Sequence, residues 1–139
     1  MDVITFKAID VQDPVRDKRK LRHWLHAVAR DHGHRIQELN YVLMDDEALL
    51  GYNRLYLGHD EYTDVITFDG NVGGGITGDV LMSVDRIREN AKGFGVSLQD
   101  ELRRVMVHGL LHLLGHGDRT RADKAAMRAT EDRYLARLR

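Results

Sequence analysis

Residues 63–83 read TDVITFDGNVGGGITGDVLMS. Thr63–Phe68, rich in β-branched residues, and Gly78–Ser83, which suits a partner strand, flank a segment holding Gly70, Gly73, Gly74 and Gly75. Such residues favour strands, and glycines favour reversal of the chain, so a hairpin is the economical reading. The triple glycine could cradle a phosphate, but no Gly-Lys-Ser/Thr follows, so it is read as a loop. An antiparallel pair here means that any parallel strands supplied by the rest of the chain join it in a mixed sheet.

Working outward supplies those strands. Residues 2–8 and 35–44 have strand composition. Between them, Asp13 and Pro14 suit the N-cap and first position of a helix. Val15, Leu21, Leu25, Val28 and Ala29 would form its apolar face, and Gly33 would end it. Asp45 and Asp46 open a second helix that runs to about Leu57 and stops at Gly58. After the hairpin, Ser83 caps a helix to about Lys92, Ser97 and Asp100 open another, and a last one covers about Arg121–Leu138. The order β-α-β-α-β-β-α-α-α predicts an α/β chain of the α+β type. It forms one domain over residues 1–139, with a mixed sheet of about four strands packed by about five helices.

The 139 residues suffice for one core, and 42% apolar with 31% charged composition is that of a soluble globular chain. No apolar run approaches a membrane span, and the N-terminus lacks a basic-then-apolar signal. The expectation is a cytoplasmic protein without a membrane partner. There is no cysteine, which excludes disulfides, thiolate metal sites and cysteine nucleophiles. Any metal must be held by histidines and carboxylates. The net charge of −1 hides an asymmetry: residues 16–30 and 119–139 hold 13 of the 21 Lys and Arg residues against four acids. These stretches read as solvated helix faces or as a basic surface for phosphates.

The chemistry gathers at residues 105–120, VMVHGLLHLLGHGDRT. Residues four apart on a helix lie about 40° apart around its axis, so His108 and His112 can reach one ion. Gly115 is placed to end the helix in a left-handed cap, after which His116 or Asp118 could turn back to the same ion. Three protein ligands with an open position make a catalytic metal site; four make a structural one. The bland alternative is a pair of buried histidines bonded to carboxylates or carbonyls. A zinc peptidase of the His-Glu-x-x-His kind is disfavoured, because the general-base position is Gly109. His23 and His26, three apart, lack the apolar context and read as surface. His59, in a loop after Gly58, carries little weight.

At these residues the chain resembles the YbeY-type endoribonucleases, metal-dependent factors of ribosomal RNA maturation. Their motif H-G-x-L-H-L-x-G-x-x-H is matched at His108, Gly109, Leu111, His112, Leu113 and Gly115. A second block is matched at Tyr56, Asp60 and Thr63–Phe68, and a third at Gly78-Asp79-Val80. The resemblance covers about residues 40–135 and implies hydrolysis of single-stranded RNA. It implies a role in small-subunit rRNA processing and ribosome quality control, and the ribosome or ribosomal proteins as partners. It also implies one zinc or another divalent ion per chain.

Two departures stand out. The family's third histidine ligand is replaced by Asp118, which keeps the ten-residue spacing and is the preferred third ligand over its rival His116. The arginine common in the family is Leu57 here; Arg54, three residues earlier on nearly the same helix face, is the proposed catalytic guanidinium. The implied roles of Thr63, Asp64 and Asp79 are structural or supporting, and the basic stretches could guide the RNA backbone. The competing reading is a ribosome-associated RNA-binding assembly factor with a structural metal. A third reading is a metallohydrolase acting on some other small substrate.

Overall fold

The computed structural model describes residues 2–71 and 73–138. Its elements are β1 (Ile4–Ala8), α1 (Lys18–Asp31), β2 (Ile36–Met44), α2 (Asp46–Leu57), β3 (Val65–Asp69), β4 (Ile76–Ser83), α3 (Val84–Phe94), α4 (Leu98–Leu113) and α5 (Arg121–Ala136). Among the described residues no helix is long and apolar enough to cross a membrane.

The hairpin is present. β3 and β4 pair antiparallel, with Thr67 opposite Val80, while β1 pairs with β2 and β2 with β4 in parallel. The sheet order is β1-β2-β4-β3, so the hairpin's second strand lies inside and its first forms an edge. Successive strand residues point to opposite faces, and that alternation divides the core. Leu39, Tyr41 and Leu43 of β2, with Val80 and Met82 of β4, join the main cluster with α1, α3, α4 and α5. Met44, Ile66 and Leu81 face the other way, where Leu49 of α2 covers them in a smaller cluster.

α4 runs deep in the main core: Leu102, Val105, Met106, Val107, Leu110 and Leu111 are all nearly inaccessible. It lies close on the sheet at Gly109, where an added Cβ would stand 2.8 Å from Val80 Cγ1. Tyr41, fully buried, donates from its hydroxyl to the Met106 carbonyl at 2.8 Å, which satisfies the polar end of a large core side chain. α1 and α5 meet through Trp24, whose indole N–H donates to the Tyr134 carbonyl at 2.9 Å.

The caps mostly follow the sequence. Asp45, Ser83 and Ser97 each accept from a backbone N–H three residues on. Thr120 does the same for α5. α1 is the correction: it begins at Lys18, not at Pro14. The Asp13 carboxylate accepts from Val15 N and pairs with Lys18 Nζ, and the Pro14 carbonyl accepts from Gln99 Nε2. These contacts hold residues 13–17 as a loop against α4, with Val15 tucked into the core.

Candidate metal centre

α4 carries His108 and His112 one turn apart, and both are partly buried. Its end is a Schellman motif: Gly115 N–H donates to the His112 carbonyl and His116 N–H to the Leu111 carbonyl, each at 3.0 Å. Gly115 has φ +99, a conformation that side-chain-bearing residues rarely adopt. The reversal returns the chain, and Asp118 comes to the two histidines. His108 Nε2 and His112 Nε2 are 3.0 Å apart; Asp118 Oδ2 is 3.6 Å from the first and 3.3 Å from the second. One ligand atom from each residue lies within 4.8 Å of the others.

His116 turns elsewhere. Its Nε2 is 2.8 Å from Nε2 of His32, the residue that follows α1, whose Nδ1 lies 2.8 Å from the Val28 carbonyl. That carbonyl can only accept, so the His32 Nδ1 carries a proton, and in the neutral ring Nε2 is left to accept from His116. This pair pins the loop between α4 and α5, and it leaves the third position of the cluster to Asp118.

The orientation of His108 has its own support. Glu131 of α5 places Oε2 2.7 Å from His108 Nδ1 and Oε1 2.9 Å from Arg104 Nη1. Arg104 is fastened a second time, to Asp132 at 2.6 Å. A carboxylate on Nδ1 fixes the proton there and leaves the Nε2 lone pair directed at the cluster. Burial opposes a charge on His108, but the Glu131 hydrogen bond and the charges of Glu131, Asp118 and Asp64 outweigh it, so its pKa lies above the ordinary imidazole value. Two imidazole nitrogens and a carboxylate oxygen, converging and held from behind, form a donor set that suits a zinc-like dication.

The cluster opens into a cavity of about 710 Å³. Its wall includes Leu57, Thr63, Asp64, Thr67, Glu101, Arg104, Lys124, Arg128 and Glu131. Asp64 and Glu101 stand inside it, and burial pushes both carboxyls above the usual range. Five carboxylates and three Lys/Arg cations line the cavity, a formal excess of two negative charges that one divalent ion cancels.

The sequence-derived residues are thus distributed unevenly. Thr63 and Asp64 reach the cavity wall. Arg54 does not line it: the side chain is exposed on α2 and its Nε donates to Asp60. Leu57, one turn further on, does line it. Asp79 lies within β4 on the opposite face of the sheet, accepting from Asn40 Nδ2 at 2.9 Å. His23 and His59 are exposed, and neither they nor His26 line the cavity. Glu131, Arg104 and Glu101 were not singled out from the sequence. The spacing of Glu101, His108 and His112 along one helix is a usable sign for Glu101; nothing local marks Glu131 or Arg104.

The comparisons with known proteins agree in direction. The family model described as Endoribonuclease YbeY matches residues 3–139. A protein named Endoribonuclease YbeY from Cytophaga hutchinsonii is 45% identical over 136 residues, covering 97% of this chain and 95% of its own. One of the same name from Bacteroides thetaiotaomicron is 41% identical over 133 residues, covering 96% of this chain and 97% of its own. Among solved structures, the solution structure of TM1509 from Thermotoga maritima superposes with a TM-score of 0.67 at 23% identity, over 95% of this chain and 86% of that one. This last likeness speaks for the fold.

Proposed function

Because the chain belongs to the Endoribonuclease YbeY family, we propose that it is a metal-dependent endoribonuclease that cuts single-stranded RNA. We further propose that it works in the cytoplasm on ribosomal RNA of the small subunit, in maturation and ribosome quality control, in contact with the ribosome or its proteins. Membership of the family supports the nuclease activity and an RNA substrate. The observation that carries the metal dependence is the three-donor cluster of His108, His112 and Asp118 on the wall of an open cavity. Three donors beside open space suit a catalytic site, because a position is left for substrate or water.

His108, His112 and Asp118 would hold one zinc or similar divalent ion. When bound, such an ion polarises a phosphoryl oxygen and lowers the pKa of water. The chain's own residues do the rest. Glu131 keeps the His108 Nδ1 proton in place and so fixes the donor direction of Nε2. Arg104 neutralises Glu131 and holds it, so that the carboxylate stays aimed. Asp64 and Glu101 sit within the cavity as carboxyls whose pKa burial raises, the direction that suits a group exchanging a proton with substrate or water. For Arg54 the proposal rests on its place one turn before the cavity-lining Leu57. To act on RNA it must exchange Asp60 for a phosphate. Loss of cleavage in Arg54→Ala with fold and metal retained supports that role; unchanged cleavage removes it.

The decisive experiment is metal per chain and RNA cleavage in the wild type beside His108→Ala/His112→Ala. One ion per wild-type chain and cleavage of single-stranded RNA are expected, both lost in a folded variant. A variant that melts earlier, yet keeps RNA binding while the wild type fails to cleave, would overturn the nuclease reading in favour of an assembly factor.

A further inference from the structure

The charges on the cavity wall are not equally available. Arg104 is spent on Glu131 and Asp132, at 2.9 and 2.6 Å, with only 16% of its side chain exposed. The other two cations on the wall, Lys124 and Arg128, form no ion pair among the described residues. Both are exposed and both belong to α5, four residues apart, so they project from one face one turn above the other. Like charges at that spacing oppose each other, a small cost that an anion between them would reverse. Arg128 is also placed: its guanidinium carbon lies 5.3 Å from the ring centroid of Phe94, a half-exposed aromatic at the end of α3 that lines the same cavity. A guanidinium resting on a ring keeps its N–H groups free for an acceptor.

The entering substrate defines the need. With one dication in the cluster the cavity lining is close to neutral, so a strand bearing one negative charge per phosphate gains no attraction from the lining as a whole. It needs cations that can turn toward it, and Lys124 and Arg128 are the unpaired ones on the wall.

We propose that Lys124 and Arg128 form a phosphate clamp on α5 that grips the RNA backbone beside the metal cluster. The clamp rests on the nuclease reading above and assigns its substrate contact. Both residues touch substrate in the ground state and stay in contact through the reaction, so they set KM rather than kcat.

The test uses zinc-loaded protein and a fluorescent single-stranded RNA of mixed sequence. Initial rates and binding by anisotropy are measured over a range of salt concentrations. Lys124→Gln/Arg128→Gln should raise KM and Kd about tenfold or more, leave kcat within about threefold, and keep one zinc per chain. The slope of log Kd against log salt should fall by about 1.4, since each phosphate contact to a single strand contributes about 0.7. The charge-preserving Lys124→Arg/Arg128→Lys should bind within about threefold of wild type. Arg88→Gln/Lys92→Gln removes an equal charge, also four residues apart and exposed, from α3 outside the cavity, and should leave the slope unchanged. Wild-type slope and KM in the α5 pair, or an equal loss in the α3 pair, would overturn the clamp. Wild-type protein that binds RNA without cleaving it would sink the nuclease reading instead, and the anisotropy slopes would still decide the clamp.

Discussion

Gly109 lies between the two histidines of α4, at a point where that helix packs close against the sheet. An alanine there would bring its Cβ to 2.8 Å from Val80 Cγ1 and 2.9 Å from Cγ2. Val80 is fully buried in the centre of β4 and cannot swing away like the end of a long side chain. The clash is therefore expected to cost about 1–3 kcal/mol, the usual range for overpacking. Alanine returns about 1 kcal/mol of helix propensity over glycine. Gly109→Ala should destabilise by about 1 kcal/mol net on those figures. Val80→Ala should lose about 2 kcal/mol through removal of two buried methyl groups. The double variant is the discriminating one, because the new methyl enters the space the valine vacates. It should be more stable than the sum of the singles predicts by at least about 1 kcal/mol. Urea unfolding of chelator-treated protein measures all four corners without a contribution from bound metal. Additivity within about 0.5 kcal/mol would refute the argument that contact with Val80 is what requires glycine at this position.

Three other outcomes are expected. Glu131→Gln should weaken zinc binding about 10- to 100-fold, because His108 loses the carboxylate that fixes its proton; competition with a chromophoric chelator measures it, and wild-type affinity would be the contrary result. Asp118→Ala should lose zinc, whereas His116→Ala should keep the stoichiometry of one ion, since His116 faces His32; elemental analysis of both variants decides which is the ligand. Burial raises the Glu101 pKa in the folded chain, so the native state holds a proton that the unfolded chain releases first. Stability from this group therefore falls as pH rises from the unfolded value upward. Glu101→Gln should accordingly raise the melting temperature at pH 7.5 and make little difference at pH 4; a gain that grows on acidification would contradict the sign.

Much of this architecture could be read locally. The hairpin, the Gly58 stop and the Asp45, Ser83 and Ser97 caps depend on residues within a few positions of one another, and the structure has them all. His108, His112 and Asp118 were also legible, because helix pitch and the Gly115 reversal bring them together within eleven residues. The start of α1 was not. Asp13 does cap a turn, but Lys18 and the distant Gln99 decide which turn. Glu131 lies 23 residues beyond His108, and Arg104 meets it across the packing of α4 on α5. No sequence period announces that contact. Charge patterning likewise showed two basic stretches but not their division of labour: Arg22 is bonded to the Ile4 carbonyl, Lys20 to that of Leu138, and Arg137 to Asp31, while Lys124 and Arg128 face the cavity.

The contact between Trp24 and Tyr134 has a practical consequence. Trp24 is the chain's single tryptophan, 5% exposed, and its indole is bonded to α5, the helix that also carries Glu131, Lys124 and Arg128. Its fluorescence is thus a built-in optical reporter of whether that helix is seated. A red shift in emission that precedes the loss of far-ultraviolet ellipticity would mark release of α5 before global melting. Coincident signals would mark one cooperative unit. No label needs to be attached to follow the helix that braces His108 and lines the cavity beside it.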